Sequence, residues 1–127
     1  KGRTTCSYFL DDHRIMFAST HETLGPECPE NQWVMKYRMQ YHTYVWPLFN
    51  YDIYVRDLRT DSLYKLYGSP GYDAELEGPS PDGKIVFTSV LNNDIDLYIL
   101  DPPYNKPPRR ITFTPGYDGG SFFSPSG

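Results

Sequence analysis

The feature that most constrains this chain is a repeat. Pro70-Gly71-Tyr72-Asp73 returns 45 residues later as Pro115-Gly116-Tyr117-Asp118, and Ser80-Pro81-Asp82-Gly83 returns 44 residues later as Ser124-Pro125-Ser126-Gly127. Asp52-Ile53-Tyr54-Val55 matches Asp96-Leu97-Tyr98-Ile99 at a spacing of 44, and Lys65-Leu66 matches Arg110-Ile111 at 45. Self-similarity at about 40–50 residues, carried by strand-like segments, is the signature of β-propeller blades. The expected fold class is therefore all-β. It is a partial β-propeller of two four-stranded antiparallel blades plus the first strand of a third. The blades are placed at residues 1–70, 71–115 and 116–127, with an insertion at 20–50 in the first. Because a propeller closes with about 4–8 blades, the chain reads as a fragment of a larger propeller, completed by more polypeptide or by another subunit.

In chain order the first blade is expected as strands Cys6–Leu10, Arg14–Ser19, Tyr51–Leu58 and Ser62–Tyr67. The second is expected as Glu75–Ser80, Lys84–Ser89, Ile95–Leu100 and Arg109–Phe113, and Ser121–Ser124 opens the third. Gly71 and Gly116 mark the crossovers between blades, and Asp82 and Gly83 a tight turn between adjacent strands. Arg14–Ser19 matches Lys84–Ser89 by residue type at a spacing of 70, so some 26 residues are inserted between Thr20 and Tyr51. Residues 20–32 read as irregular loop. Residues 33–50 carry Trp33, Tyr37, Tyr41, Tyr44 and Trp46. The spacing of Trp33, Tyr37 and Tyr41 by four allows one face of a helix, and the aromatic cluster equally suits an extended hairpin.

The formal charge of −4, with no block of Lys or Arg, argues against nucleic acid, which needs a clustered basic surface. No apolar run approaches the roughly eighteen residues of a membrane span. G-x-S-x-G, H-E-x-x-H, P-loop and G-x-G-x-x-G motifs are all missing, so no residue is singled out as catalytic. Cys6 and Cys28, the only cysteines, are too few for a four-ligand zinc site, and His13 and His21 show no ligand spacing with them. They are either a disulfide or two unrelated thiols.

Strands of a blade alternate in direction, so the loop after each second strand and the crossover after each fourth open at the same end. That end gathers the insertion, Leu91 to Asp94 and both Gly-Tyr-Asp crossovers, with Asp73, Glu75, Asp94 and Asp118, and with Glu22, Glu27 and Glu30 if the insertion folds over it. An acidic face suits a cation or a basic partner segment. Asp73 and Asp118 are expected to accept backbone hydrogen bonds in the crossovers, with partner binding as the alternative. Asp94-x-Asp96 is half of a calcium-loop spacing but lacks the further oxygen ligands and the loop glycine. Trp33, Tyr37, Tyr41 and Trp46 either cover a blade edge or form a partner platform.

The stretch Ser80-Pro81-Asp82-Gly83-Lys84-Ile85-Val86-Phe87-Thr88-Ser89, followed by Asp96-Leu97-Tyr98-Ile99 and Arg109-Arg110-Ile111-Thr112, resembles the repeat of TolB-type propellers. Pro79 stands where that family has Trp, and Ser126 where it has Asp. The resemblance implies a noncatalytic scaffold or protein-interaction module of the cell envelope or exterior, with no cofactor. Its partners would be proteins or other subunits of an assembly. Export in turn favours the Cys6–Cys28 disulfide. The resemblance also implies a central channel lined by Tyr8, Leu10, Leu76, Gly78 and Phe122. Two alternatives stand beside it. One is the propeller portion of a prolyl-oligopeptidase-like serine peptidase, and the other a carbohydrate- or calcium-binding propeller.

Overall fold

The structure is a computed structural model that describes residues 2–25, 39–42 and 48–127. Eight strands run through them: β1 (Thr4–Phe9), β2 (Arg14–Ser19), β3 (Asp52–Asp57), β4 (Leu63–Tyr67), β5 (Asp73–Glu77), β6 (Ile85–Ser89), β7 (Asp96–Leu100) and β8 (Arg109–Arg110). They form two four-stranded sheets, β1-β2-β3-β4 and β5-β6-β7-β8, every neighbouring pair antiparallel. Apart from a short helical turn at 39–41, the described residues follow the expected all-β blade pattern.

The strand sequences explain the stacking. In β7 Asp96, Tyr98 and Leu100 are buried while Leu97 and Ile99 are half-buried, the alternation of a strand with one covered face. Tyr98 packs beside Phe87 of β6, with ring centroids 5.9 Å apart, and Phe87 meets Tyr67 of the first sheet at 5.2 Å. So this face of the second sheet lies against the first. Met16, Ala18, Ile53 and Val55 of the first sheet are all 0% exposed and join Ile85, Phe87, Tyr98 and Leu100 in one core.

The innermost strands share a kink. The β1–β2 register slips between Thr5 and Tyr8, and the β5–β6 register between Ala74 and Glu77. The extra residue of each bulge has a left-handed backbone, φ 48° at Cys6 and 52° at Glu75. Gly120, 45 residues beyond Glu75, has φ 64°. Bulges of this kind re-aim side chains at the rim of a sheet, and here the device recurs with the repeat.

Several boundaries differ from expectation. β5 begins at Asp73 and ends at Glu77, because Pro79 has no N–H to give the ladder and Ser80 is taken into a turn, its Oγ accepting from Lys84 N at 2.9 Å. β8 stops at Arg110, since Leu97 N donates to the Thr112 side chain at 2.9 Å instead of to a backbone carbonyl. Ser121–Ser124 forms no strand. That segment is tethered through a parallel bridge between Ile95 and Tyr117. Leu10 and Leu76 are 9% and 1% exposed and belong to the core between the sheets, so the channel lining expected of them is corrected: both are buried in that core. Phe122 is 75% exposed.

Candidate functional site

The end that carries the crossovers is assembled from paired devices, one per blade. Asn50 Oδ1 accepts from Gly71 N at 3.3 Å, and Asp94, 44 residues later, accepts from Gly116 N at 3.2 Å. Asp73 N donates to Tyr51 O at 3.1 Å, and Asp118 N to Ile95 O at 2.8 Å. Gly71 has φ 121°, and a Cβ there would stand 2.5 Å from Val90 Cγ2, so the repeat needs glycine at this crossover. The second strands end alike, with Ser19 Oγ accepting from His21 N at 3.3 Å and Ser89 Oγ from Leu91 N at 3.1 Å.

The structure brings the repeated aspartates into fixed roles. Asp73 is fully buried. Its Oδ2 accepts from Ser69 N at 2.6 Å and Ser69 Oγ at 2.8 Å, while Oδ1 has no hydrogen-bond partner. Burial pushes its carboxyl up, against the hydrogen bonds of Ser89 and Ser69. Asp118 Oδ2 is likewise buried without a partner. Asp94 also accepts from Ile95 N at 2.9 Å. Asp96, 0% exposed, accepts from Thr112 Oγ1 at 3.2 Å and lies 2.6 Å from the Arg110 guanidinium. These contacts give Asp94 and Asp96 separate protein partners. Among the described residues no three His, Cys, Asp or Glu side chains are grouped to hold a metal ion. Asp82 and Gly83 form the turn before β6, with Ser80 Oγ donating to Asp82 Oδ1 at 2.6 Å and Tyr104 capping Gly83 O at 2.6 Å.

Sequence reasoning missed two features. The first is the pairing of a buried aspartate with a cation of the outer strand. Lys65 Nζ lies 2.6 Å from Asp52 and 3.1 Å from Glu22, which draws the Glu22 carboxyl below its usual range. The same contacts raise Lys65. Arg110 repeats the device on Asp96. Both halves were visible as the matched Asp52/Asp96 and Lys65/Arg110 positions. The second is Glu75, which collects the start of the third unit. Its Oε2 accepts from Tyr117 Oη at 2.6 Å, Thr88 Oγ1 at 2.9 Å and Gly120 N at 3.2 Å, and its Oε1 from Tyr72 Oη at 3.2 Å. Partial desolvation and this bond push Tyr117, still 59% exposed, up to about 12. The Glu77 carboxylate and partial desolvation push Tyr8 up to about 12. Only the bulge geometry brings these groups together, and the bulge left no signal in residue type: Cys6, Glu75 and Gly120 share nothing but position.

Cys6 is a free thiol, its Sγ 3.3 Å from Thr5 Oγ1. Cys28 lies outside the described residues, as do Trp33, Tyr37 and Trp46. Tyr41 is 57% exposed, and residues 39–41 are helical, while most of 33–50 falls outside the described set. No helix among the described residues is long and apolar enough to cross a membrane.

No protein-family model matches the chain, and no curated protein does. Among solved structures it is similar to TolB from Acinetobacter baumannii, with a TM-score of 0.51 at 19% identity. The match covers 89% of this chain and 22% of the other, so the chain spans about a fifth of that protein's length. At this identity the likeness shows the fold: a TolB-like propeller architecture.

Proposed function

We propose that the chain is part of a noncatalytic β-propeller scaffold that docks protein partners at the crossover end, in the cell envelope or outside the cell. The observation that carries this reading is a group of exposed apolar side chains at that end, larger than the group of Phe9, Leu58, Leu63 and Tyr64 toward the other. Leu24, Met39, Tyr41, Leu48, Leu91 and Tyr117 are all more than 40% exposed, and all belong to connections that leave the sheets at this one end. Apolar groups gathered on loops of a rigid scaffold mark interaction surfaces. Asp73 and Asp94 at the same end are spent on fixing crossover backbone, which suits a docking scaffold better than a reaction centre. The TolB-like fold supports the interaction role, and the SPDG-type repeat accords with it. Export goes with a Cys6–Cys28 bridge, which would require the Cys6 thiol to be drawn to the insertion.

A photo-crosslinking amino acid tests the reading in the producing cell. Placed at Leu91 or Tyr117 it is expected to trap a discrete protein partner, and placed at Thr60, in the turn at the opposite end, to trap none. Equal trapping at both ends, or none at either, overturns the proposal.

A further inference from the structure

The outer face of the first sheet carries an open cavity of about 190 Å³ lined by Gly2, Thr4, Phe17, Ser19, His21 and Leu63. Its floor has a counterpart in the second sheet. Thr4 pairs with Ser19 across β1–β2 as Asp73 pairs with Ser89 across β5–β6. Phe17 opposes Tyr54 as Phe87 opposes Tyr98. In the second sheet this position is filled. The Tyr67 ring from the end of β4 sits 5.2 Å from Phe87, with its hydroxyl close to Asp73 and Tyr98. Burial raises the Tyr67 phenol, as an inserted ring should.

We infer that the cavity on the first sheet is a socket for an aromatic side chain, tyrosine above all, carried at the end of the outer strand of an adjoining four-stranded blade. Phe17 and Leu63 supply apolar walls. The Ser19 Oγ and His21 Nδ1 pair, 2.9 Å apart, offers a phenol hydroxyl a polar end, which suits a ring that is apolar in body and polar at its tip. A second copy of this chain does not supply the knob. The residue 45 positions beyond Tyr67 is Thr112, its hydroxyl committed to Leu97 N and Asp96, and the neighbouring Phe113 lies under the Arg110 guanidinium at 4.9 Å and has no hydroxyl for the polar end. The occupant is thus a different blade. The inference rests on the reading of the two sheets as propeller blades and adds the chemistry of the neighbour they accept.

The probe is p-cresol, titrated into the 127-residue chain while the His21 ring and Leu63 methyl NMR signals are followed. Saturable shifts at both are expected, with cyclohexanol, which keeps the hydroxyl but lacks the aromatic ring, binding roughly threefold or more weakly. Leu63→Ala and His21→Ala lie on an exposed and a half-buried residue, so the fold should survive, and each should weaken p-cresol by a similar factor. Absence of saturable shifts, shifts confined to other residues, or equal binding of cyclohexanol overturns the socket. Self-association by sedimentation that is lost in Leu63→Ala would assign the face to a second copy and overturn the proposed occupant. The Tyr67–Phe87 contact is untouched by p-cresol and tests the blade reading separately.

Discussion

Ile53 and Leu97 hold the same place in two sheets, 44 residues apart, yet Ile53 is 0% exposed and Leu97 half-buried. Val55 and Ile99 differ in the same way. On the opposite faces the order reverses: Phe87 is fully buried and Phe17 half-buried. Among the described residues each sheet has one face covered by the other sheet and a second face that meets no sheet, though on the first sheet Tyr54 of that second face is 0% exposed beneath His21 and Lys65. Ile111, whose N donates to Leu97 O, is 37% exposed at the edge of the second sheet. Equal sequence at equal positions therefore carries unequal energy, because the apolar contribution follows the area removed from water and that depends on the neighbour.

The largest test of this asymmetry is a pair of truncations. Ile53→Ala is expected to cost about 2–5 kcal/mol by urea denaturation, as core truncations do, and Leu97→Ala roughly 1 kcal/mol. Equal losses would break the asymmetry. Next come the two ion pairs. Arg110→Ala leaves the 0% exposed Asp96 without its guanidinium and should cost about 1–3 kcal/mol. Asp52 is buried too, but Lys65 is 42% exposed and its site stays close to water, so Lys65→Ala should cost less, about 1 kcal/mol. A smaller effect, about 0.5–1.5 kcal/mol, is expected for Tyr117→Phe, read as faster hydrogen exchange at Gly120 N with β6 unchanged.

The smallest differences are in pH dependence. Asp73 in the second sheet has its carboxyl raised by burial. The stability it contributes is fully present below the unfolded value near 3.9 and is lost as pH rises through its folded value. Asp11 in the first sheet is held down to about 2, chiefly by its hydrogen bond from Arg14. Its contribution is present above the unfolded value and is lost as pH falls through about 2. Thermal melts across this range should show the slope above pH 4 flattened by Asp73→Asn and the slope below pH 4 flattened by Asp11→Asn. The reverse pattern would contradict both assignments.

Much of the fold was legible because period-two alternation and the 44–45 residue spacing report directly on strands and their order. β2 was placed to the residue, since Arg14–Ser19 lies between a tight turn and the Ser19 cap. The ends of β5 and β8 were misjudged because side chains replace the backbone there: Ser80 takes the turn bond and Thr112 the ladder bond. The site was less legible. Gly71 and Gly116 announced the crossovers, and Asp73 could be placed beside them. The Glu75 hub could not, because it depends on a left-handed bulge that no residue type marks. The ion pairs lay in plain view as matched columns, but their contact depends on strand pairing across the sheet.

The claim that supports all of this is that the second sheet stacks on the first with Tyr67 inserted against Phe87. Ring-to-ring nuclear Overhauser effects on the 127-residue chain measure that contact directly. The account predicts cross-peaks between the Tyr67 and Phe87 rings, and between Phe87 and Tyr98. A Tyr67 ring with contacts only to its own sheet, and a Phe87 ring open to solvent, would contradict it.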